Sequence, residues 1–364
     1  MKVLSISLDK KILDKNSNNF QRQKEYSRLV DELHIVVFGP DKKIKTNNLF
    51  IYGSGGNNRI NRFLNAYKIS KKILENKDLR GWLITTQDPF FSGLLGYLLK
   101  RKFKIKLHIQ VHTDFLSRYF CQESLYNLFQ YFLGKFITKK ADAFRAVSQR
   151  IKKSLVRWGI NANKIMAVPI YTEIRNPKSE IRKQGKSVFL TIARLVRVKN
   201  IGLQIKAMAE IIKRYPNIEL WIVGDGPERK RLQTMAHKLQ ITKNIKFWGW
   251  QDNLEKFYRQ ADVFLLTPNY EGWPQVVVQA AFFSLPIIIT DFSSAGEFII
   301  NNKNGIIIPL NDLFFLKRAM IKLIENKKLR KRLGKNVKKA ILGLFSKDET
   351  LKLYKKSWDI ALKK

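Results

Sequence analysis

Short runs of β-branched and aromatic residues alternate along the whole chain with longer stretches of amphipathic, helical spacing. In the first half this pattern predicts strands at 3–7, 34–38, 49–52, 82–85, 107–111, 143–147 and 165–168, with helices such as 62–75 and 93–100 between them. A polar, turn-prone stretch at 171–186, holding Pro177 and Gly185, interrupts the pattern. A second series then predicts strands at 188–192, 219–223, 245–247, 263–266, 287–290 and 306–308. Strands alternating with helices imply parallel sheets, and two such series imply two doubly wound α/β domains facing each other across a cleft. The boundaries read as 1–172 for the first domain and 187–345 for the second. A final helix at 346–364 carries Trp358 and is expected to pack back toward the first domain. Ligands of such sheets bind beyond the carboxyl ends of the strands, so informative residues should follow strands.

Composition agrees with two globular domains: 364 residues, 45% hydrophobic, are enough for two cores. No apolar stretch approaches the ~20 residues needed to span a bilayer. The opening Met1-Lys2-Val3-Leu4-Ser5-Ile6-Ser7, soon broken by Asp9-Lys10-Lys11, reads as a first strand and not as a signal peptide. The single cysteine, Cys121, excludes an internal disulfide and a cysteine metal cage, and fits the reducing cytoplasm. Lysine and arginine outnumber aspartate and glutamate 69 to 29, a formal charge of +40. Such an excess points to an anionic partner: an acidic membrane surface, a phosphorylated substrate or nucleic acid. The alternative is a basic composition spread over solvated faces. The aromatic stretch from Phe115 through Tyr126, Phe129 and Phe132 to Phe136 fits either a surface that dips into a membrane or core packing behind the loop that precedes it.

Three strand ends in the second half are rich in chemistry. After 188–192 come Arg194 and Lys199, just ahead of a helix whose N-terminal N–H groups favour a phosphate. After 219–223 comes the turn Gly224-Asp225-Gly226-Pro227-Glu228, and after 263–266 the loop Thr267-Pro268-Asn269-Tyr270-Glu271-Gly272-Trp273-Pro274-Gln275, with Gln279 on the helix behind it. In order and spacing, Ala193-Arg194-Leu195 through Lys199-Asn200, Ile222 through Glu228, Phe247-Trp248-Gly249-Trp250, Glu271 through Ala281, Leu285-Pro286 and Gly296-Glu297 strongly resemble family 4 glycosyltransferases, which are retaining enzymes of the GT-B fold. In the first half Gln110-Val111-His112-Thr113-Asp114-Phe115 resembles the family's acceptor-side histidine motif. Ala146-Val147-Ser148 with Ile151-Lys152 resembles its late strand-to-helix junction.

The resemblance implies a Rossmann-like first domain for the acceptor and a second for a UDP- or GDP-linked sugar, with no metal and no resident cofactor. It implies that Arg194 and Lys199 hold the diphosphate and offset charge on the leaving group, the kind of preorganised electrostatics that contributes most to catalysis. Glu271 would bind sugar hydroxyls, and His112 would stand near the reacting centre. Gly224, Gly226, Gly272, Trp273, Pro274 and Gln275 would line the donor pocket, Trp250 would face the base, and Gln279 stands where the family has a second glutamate for the ribose. A glutamine there should weaken nucleotide binding by about 1–2 kcal/mol. A second departure is early: many relatives carry a glycine-rich loop after the first strand, whereas residues 13–23 here are polar, with Arg22 as a substitute contact. The +40 charge motivates a membrane-associated acceptor, such as a saccharide lipid-linked at the inner face of a membrane for surface polysaccharide synthesis. Two other readings compete: a non-catalytic nucleotide-sugar-binding protein with a partly decayed site, and a basic nucleic-acid-binding protein. The latter lacks any helix-turn-helix, zinc or single-strand signature, so no specific nucleic acid is expected. No Gly-x-x-x-x-Gly-Lys-Ser/Thr loop supports P-loop hydrolysis, no Gly-x-Gly-x-x-Gly first turn supports a dehydrogenase, and no Asp-x-Asp pair would hold a metal on a diphosphate.

Overall fold

A computed structural model describes residues 1–172, 186–292, 294–344 and 346–363; most of the linker read at 171–186 lies outside them. The chain divides into two compact units, Met1–Pro169 with Phe345–Lys364, and Ile170–Leu344.

The first unit is built on eight strands: β1 (Lys2–Ser7), β2 (Glu32–Val37), β3 (Lys43–Thr46), β4 (Leu49–Gly53), β5 (Trp82–Thr86), β6 (Lys106–Val111), β7 (Ala143–Ala146) and β8 (Ile165–Ala167). Their order is β3-β4-β2-β1-β5-β6-β7-β8, parallel except for the β3–β4 pair. The central strands β1, β2, β5 and β6 are buried along nearly their whole length because helices cover both faces, which is why they read as continuous apolar runs. The pattern above does not contain β3. It holds one apolar residue, Ile44, between exposed Lys43 and Lys45, and lysines on an outermost strand discourage pairing with other chains.

The C-terminal helix Lys347–Leu362 opens with a Ser346/Glu349 capping box and lies on β6, β7 and β8. Tyr354 stacks on Tyr26 with ring centroids 4.2 Å apart, and Trp358 is fully buried. Beneath it the guanidinium of Arg145, 2% exposed, donates to the carbonyls of Val168 at 3.1 Å and Pro169 at 2.9 Å and to Gln110 Oε1 at 3.1 Å. Three acceptors and the Tyr354 ring face, 4.6 Å away, satisfy a cation that burial would otherwise penalise.

The aromatic stretch splits in two. Phe115 and Phe120 are buried core residues, whereas Tyr126, Phe129, Phe132 and Phe136, on the helix Leu125–Thr138, are exposed.

The second unit has six parallel strands: β9 (Ser187–Ile192), β10 (Ile218–Val223), β11 (Ile245–Gly249), β12 (Val263–Leu266), β13 (Ile287–Thr290) and β14 (Ile306–Ile308), in the order β11-β10-β9-β12-β13-β14. Its core joins strand residues such as Phe189, Leu220 and Leu265 to Ile205 and Met208 of helix Ile201–Ile211 and Leu316 and Met320 of helix Leu313–Glu325. Both units are therefore doubly wound, with the strand order reversing beside β1 in one and beside β9 in the other.

Trp358→Ala removes the largest side chain buried between the C-terminal helix and the first sheet. It should destabilise this unit by about 3–5 kcal/mol, seen as a lower denaturant midpoint; an unchanged midpoint would mean that the helix is not part of the cooperative core.

Candidate functional site

In the second unit the order reverses between β9 and β12, so the loops leaving these two strands part around a crevice beyond their carboxyl ends. Arg194 and Lys199 are on the first loop and Glu271 is on the second. Lys199 stands in a short 3₁₀ turn, Arg197–Lys199, and Asn200, in the left-handed conformation at φ 47°, turns the chain into helix Ile201–Ile211. The Asn269 N–H donates to the Val198 carbonyl at 2.8 Å, tying the loops together. Across that tie Lys199 Nζ pairs with Glu271 Oε2, while Glu271 Oε1 accepts from the Gly272 N–H at 3.1 Å. Arg194 is exposed and makes no ion pair among the described residues.

Gly224 and Gly226 have a definite task. An added Cβ on Gly224 would overlap the Ala193 carbonyl oxygen, and one on Gly226 would lie 2.5 Å from the Leu195 carbonyl oxygen. The glycine turn is thus laid directly on the loop carrying Arg194, held by Leu195 N–H to the Asp225 carbonyl and Glu228 N–H to the Leu195 carbonyl, both at 2.9 Å. The two glycines shape the site through this backbone contact. Beneath the loops Gln204 Nε2 donates to Thr267 Oγ1 at 2.9 Å, and Thr290 Oγ1 donates to the Pro268 carbonyl at 2.7 Å. Both bonds are buried and fix the start of the second loop.

The helices beginning at the crevice lack side-chain caps. Ser124, Ser148 and Ser346 cap their helices, whereas among the described residues no side chain caps Ile201–Ile211 or Gln275–Phe282, nor Phe91–Phe103, Arg229–Lys238 or Glu255–Gln260. The latter starts at Pro274, whose carbonyl accepts from Val277 at 3.0 Å, so the N–H groups of Gln275 and Val276 have no intrahelical acceptor. Two uncapped N-termini, Arg194 and Lys199 together make a receptor for a multiply charged anion. Gly272, Trp273 and Pro274 are buried, and the indole N–H of Trp273 is buried without an acceptor. Gln279 is half-buried, and its Oε1 accepts from the hydroxyl of Tyr258 at 2.9 Å. Tyr258, on helix Glu255–Gln260, has no signal in the sequence, because only the fold brings it to Gln279. Trp250 is exposed beyond β11, its indole N–H donating to Asp252 at 3.1 Å.

In the first unit His112 follows β6, with Nε2 3.2 Å from Gln110 Oε1. Burial, then the positive charges of Arg145 and Arg22, push its pKa down to about 3, so it is neutral at physiological pH. Arg22 therefore lies within electrostatic reach of His112. His108, four residues earlier and within β6, is fully buried against Thr85 Oγ1 at 2.8 Å and belongs to the packing. Asp88 escaped the sequence reading, although an Asp-Pro pair directly after a strand could have marked it. It follows β5, the neighbour of β6, and accepts from the Phe90 N–H at 2.7 Å. Burial outweighs that bond and raises its pKa to about 6. Among the described residues no group of three histidine, cysteine or acidic side chains could hold a metal ion.

Two Rossmann-like units are the architecture of the GT-B class of glycosyltransferases. Residues 24–170 match the family model Glycosyltransferase Family 4, and residues 173–340 match Glycosyl transferases group 1. The chain belongs to glycosyltransferase family 4 and is a glycosyltransferase. It is 30% identical over 316 residues to an uncharacterized glycosyltransferase of Methanocaldococcus jannaschii, covering 82% of this chain and 77% of that one. It is 28% identical to the lipopolysaccharide core biosynthesis glycosyltransferase LpsE of Rhizobium meliloti, over 46% of this chain and 48% of that one. It is 31% identical to the alpha-monoglucosyldiacylglycerol synthase of Acholeplasma laidlawii, over 42% of this chain and 39% of that one. Among solved structures, Anabaena HepE in complex with UDP superposes with a TM-score of 0.74 at 16% identity, over 98% of both chains.

An unfolded histidine takes up a proton below about pH 6.5, whereas folded His112 does not until about pH 3. Between these values the unfolded state binds more protons, so the His112 contribution to stability is intact above pH 6.5 and falls as the pH drops. His112→Asn should therefore lose less stability than the parent chain between pH 7 and pH 5 in urea titrations. Equal losses would contradict a buried, neutral His112.

Proposed function

We propose that the chain moves a sugar, with retention, from a uridine or guanosine diphosphate donor to a lipid-linked saccharide at an anionic membrane surface. The observation that carries the donor reading is the convergence of Arg194, Lys199 and two uncapped helix N-termini on one crevice. Four sources of positive potential fit a diphosphate better than a neutral ligand or a single carboxylate. The UDP bound by HepE, a protein of the same fold, favours the uridine form. The names of the lipopolysaccharide core and diacylglycerol relatives favour a lipid-linked acceptor.

In the reaction the bond between the sugar C1 and the phosphate oxygen breaks and a bond from C1 to the acceptor oxygen forms on the same face. The acceptor's proton passes to the leaving phosphate, and the nucleoside diphosphate departs. Arg194, Lys199 and the N–H groups of Gln275 and Val276 offset the charge that develops on the phosphate. Lys199 is paired with Glu271. A bound diphosphate competes for that ammonium and releases the carboxylate to accept from sugar hydroxyls, so one ion pair serves both halves of the donor. Neutral His112 can accept from a hydroxyl without adding charge.

Gln279 meets the ribose differently from a glutamate. Its Oε1 already accepts from Tyr258, leaving its Nε2 hydrogens for a ribose oxygen. Gln279→Glu should tighten UDP roughly tenfold by restoring charge-assisted acceptance.

The test is thermal stabilisation by UDP and GDP with the parent chain and Lys199→Ala. A ligand at 100 times its dissociation constant adds about 2.7 kcal/mol to stability. Stabilisation by one nucleotide, lost in Lys199→Ala, is expected, together with release of that nucleotide from its sugar when an acceptor is supplied. No stabilisation by any nucleoside diphosphate, or full stabilisation of Lys199→Ala, would overturn the reading.

A further inference from the structure

We infer that helix Leu125–Thr138 of the first unit is a bilayer-docking element that inserts its apolar stripe into an anionic leaflet beside the loop of His112. Leu125, Phe129, Phe132 and Phe136 recur at spacings of four, three and four, which places them on one face of the helix. In a water-facing helix that stripe would turn inward. Here it turns outward: Leu125 is 86% exposed, Phe129 53%, Phe132 61% and Phe136 49%, while the inward face carries the small Gly134 and Thr138 together with Ile137. The patch extends sideways. Helix Phe91–Phe103 packs beside this helix and Arg59–Leu74 packs beside Phe91–Phe103, and the latter two expose Leu98, Ile60 and Leu64. Contiguous exposed apolar surface of this kind marks an interaction site.

Charge decides the occupant. The three helices together hold nine lysines and arginines and not one aspartate or glutamate. A protein interface on such a surface would need an acidic, aromatic-accepting partner. A bilayer of acidic lipids supplies an apolar interior and a negative surface at once, and helices that lie in that interface have this composition.

The docking face is also fixed to the acceptor-side loop. A Cβ on Gly134 would lie 2.8 Å from the ring of Phe115, so the helix backbone rests directly on that ring, three residues beyond His112. Phe90 meets Phe115 edge-on at 5.6 Å and stacks on Phe120 at 5.7 Å, which makes the loop and the helix one packed piece. A saccharide carried on a lipid would then emerge from the bilayer next to His112. This inference rests on the lipid-linked acceptor reading, and the experiment separates the two.

Sedimentation with vesicles of phosphatidylcholine alone, and of phosphatidylcholine with about a third phosphatidylglycerol, would be compared for the parent chain and for Phe129→Ser/Phe132→Ser. The parent should bind the anionic vesicles, more weakly as salt rises, and the neutral ones far less. The double variant should bind anionic vesicles at least about tenfold more weakly, with unchanged melting temperature and unchanged stabilisation by UDP. Equal vesicle binding by both chains, or a parent dimer that the two substitutions dissociate without affecting vesicle binding, would overturn the docking role. Transfer to a water-soluble saccharide, if retained by the double variant while vesicle binding is lost, supports docking as separate from chemistry. A parent chain that docks but transfers no sugar to any acceptor would leave the docking inference standing and overturn the functional one.

Discussion

Strand β9 is flanked by β10 on one side and β12 on the other, and the chain reaches these neighbours by crossovers that carry it in opposite directions along the sheet. The loops leaving β9 and β12 cannot both cover the same strand ends, so they separate, and two helices begin at the gap with their N-termini directed toward it. The site is what the chain does with this gap. Val198 and Asn269 join the loops by one backbone hydrogen bond, Lys199 and Glu271 close them with an ion pair, and two glycines let a third loop lie against the first. Leaving the two helix ends uncapped forgoes about 1 kcal/mol of stability each relative to a side-chain cap. That sacrifice makes sense where a ligand supplies the missing acceptors.

The same economy of charge runs through the first unit. Arg145 is buried with no carboxylate partner among the described residues, yet it is satisfied by two backbone carbonyls, an amide oxygen and a ring face. Burial first, and then its positive charge with that of Arg22, keep His112 neutral. The +40 charge of the chain is thus unevenly used. A little of it gathers at the two strand-end sites, and a larger share lies on three neighbouring helices that carry no acid at all.

Most of the architecture was legible because buried parallel strands must be apolar on both faces, and Val, Ile, Leu and Phe runs are hard to mistake. The placement of Arg194, Lys199 and Glu271 at one crevice was legible because they follow the predicted strands that became β9 and β12, where the strand order reverses. Edge strand β3 was not, because a single Ile44 between lysines carries no period. The Tyr258–Gln279 bond was invisible because it joins two helices through side chains alone. The aromatic stretch was ambiguous for a different reason: a helical stripe shows which residues share a face but not whether that face meets protein or something else. Only the fold shows that Phe115 is core and Phe132 is not. The close packing of Gly224 and Gly226 against the backbone of Ala193 and Leu195 was not legible, because it joins two loops that only the fold brings together.

If the second unit's switch point holds a nucleoside diphosphate through Lys199, Arg194 and the start of helix Gln275–Phe282, a crystal structure of the chain with UDP will show it. The β-phosphate is expected against the N–H groups of Gln275 and Val276, with Lys199 turned from Glu271 onto a phosphate oxygen. A nucleotide bound elsewhere, or one bound there while the Lys199–Glu271 pair remains closed, would contradict it.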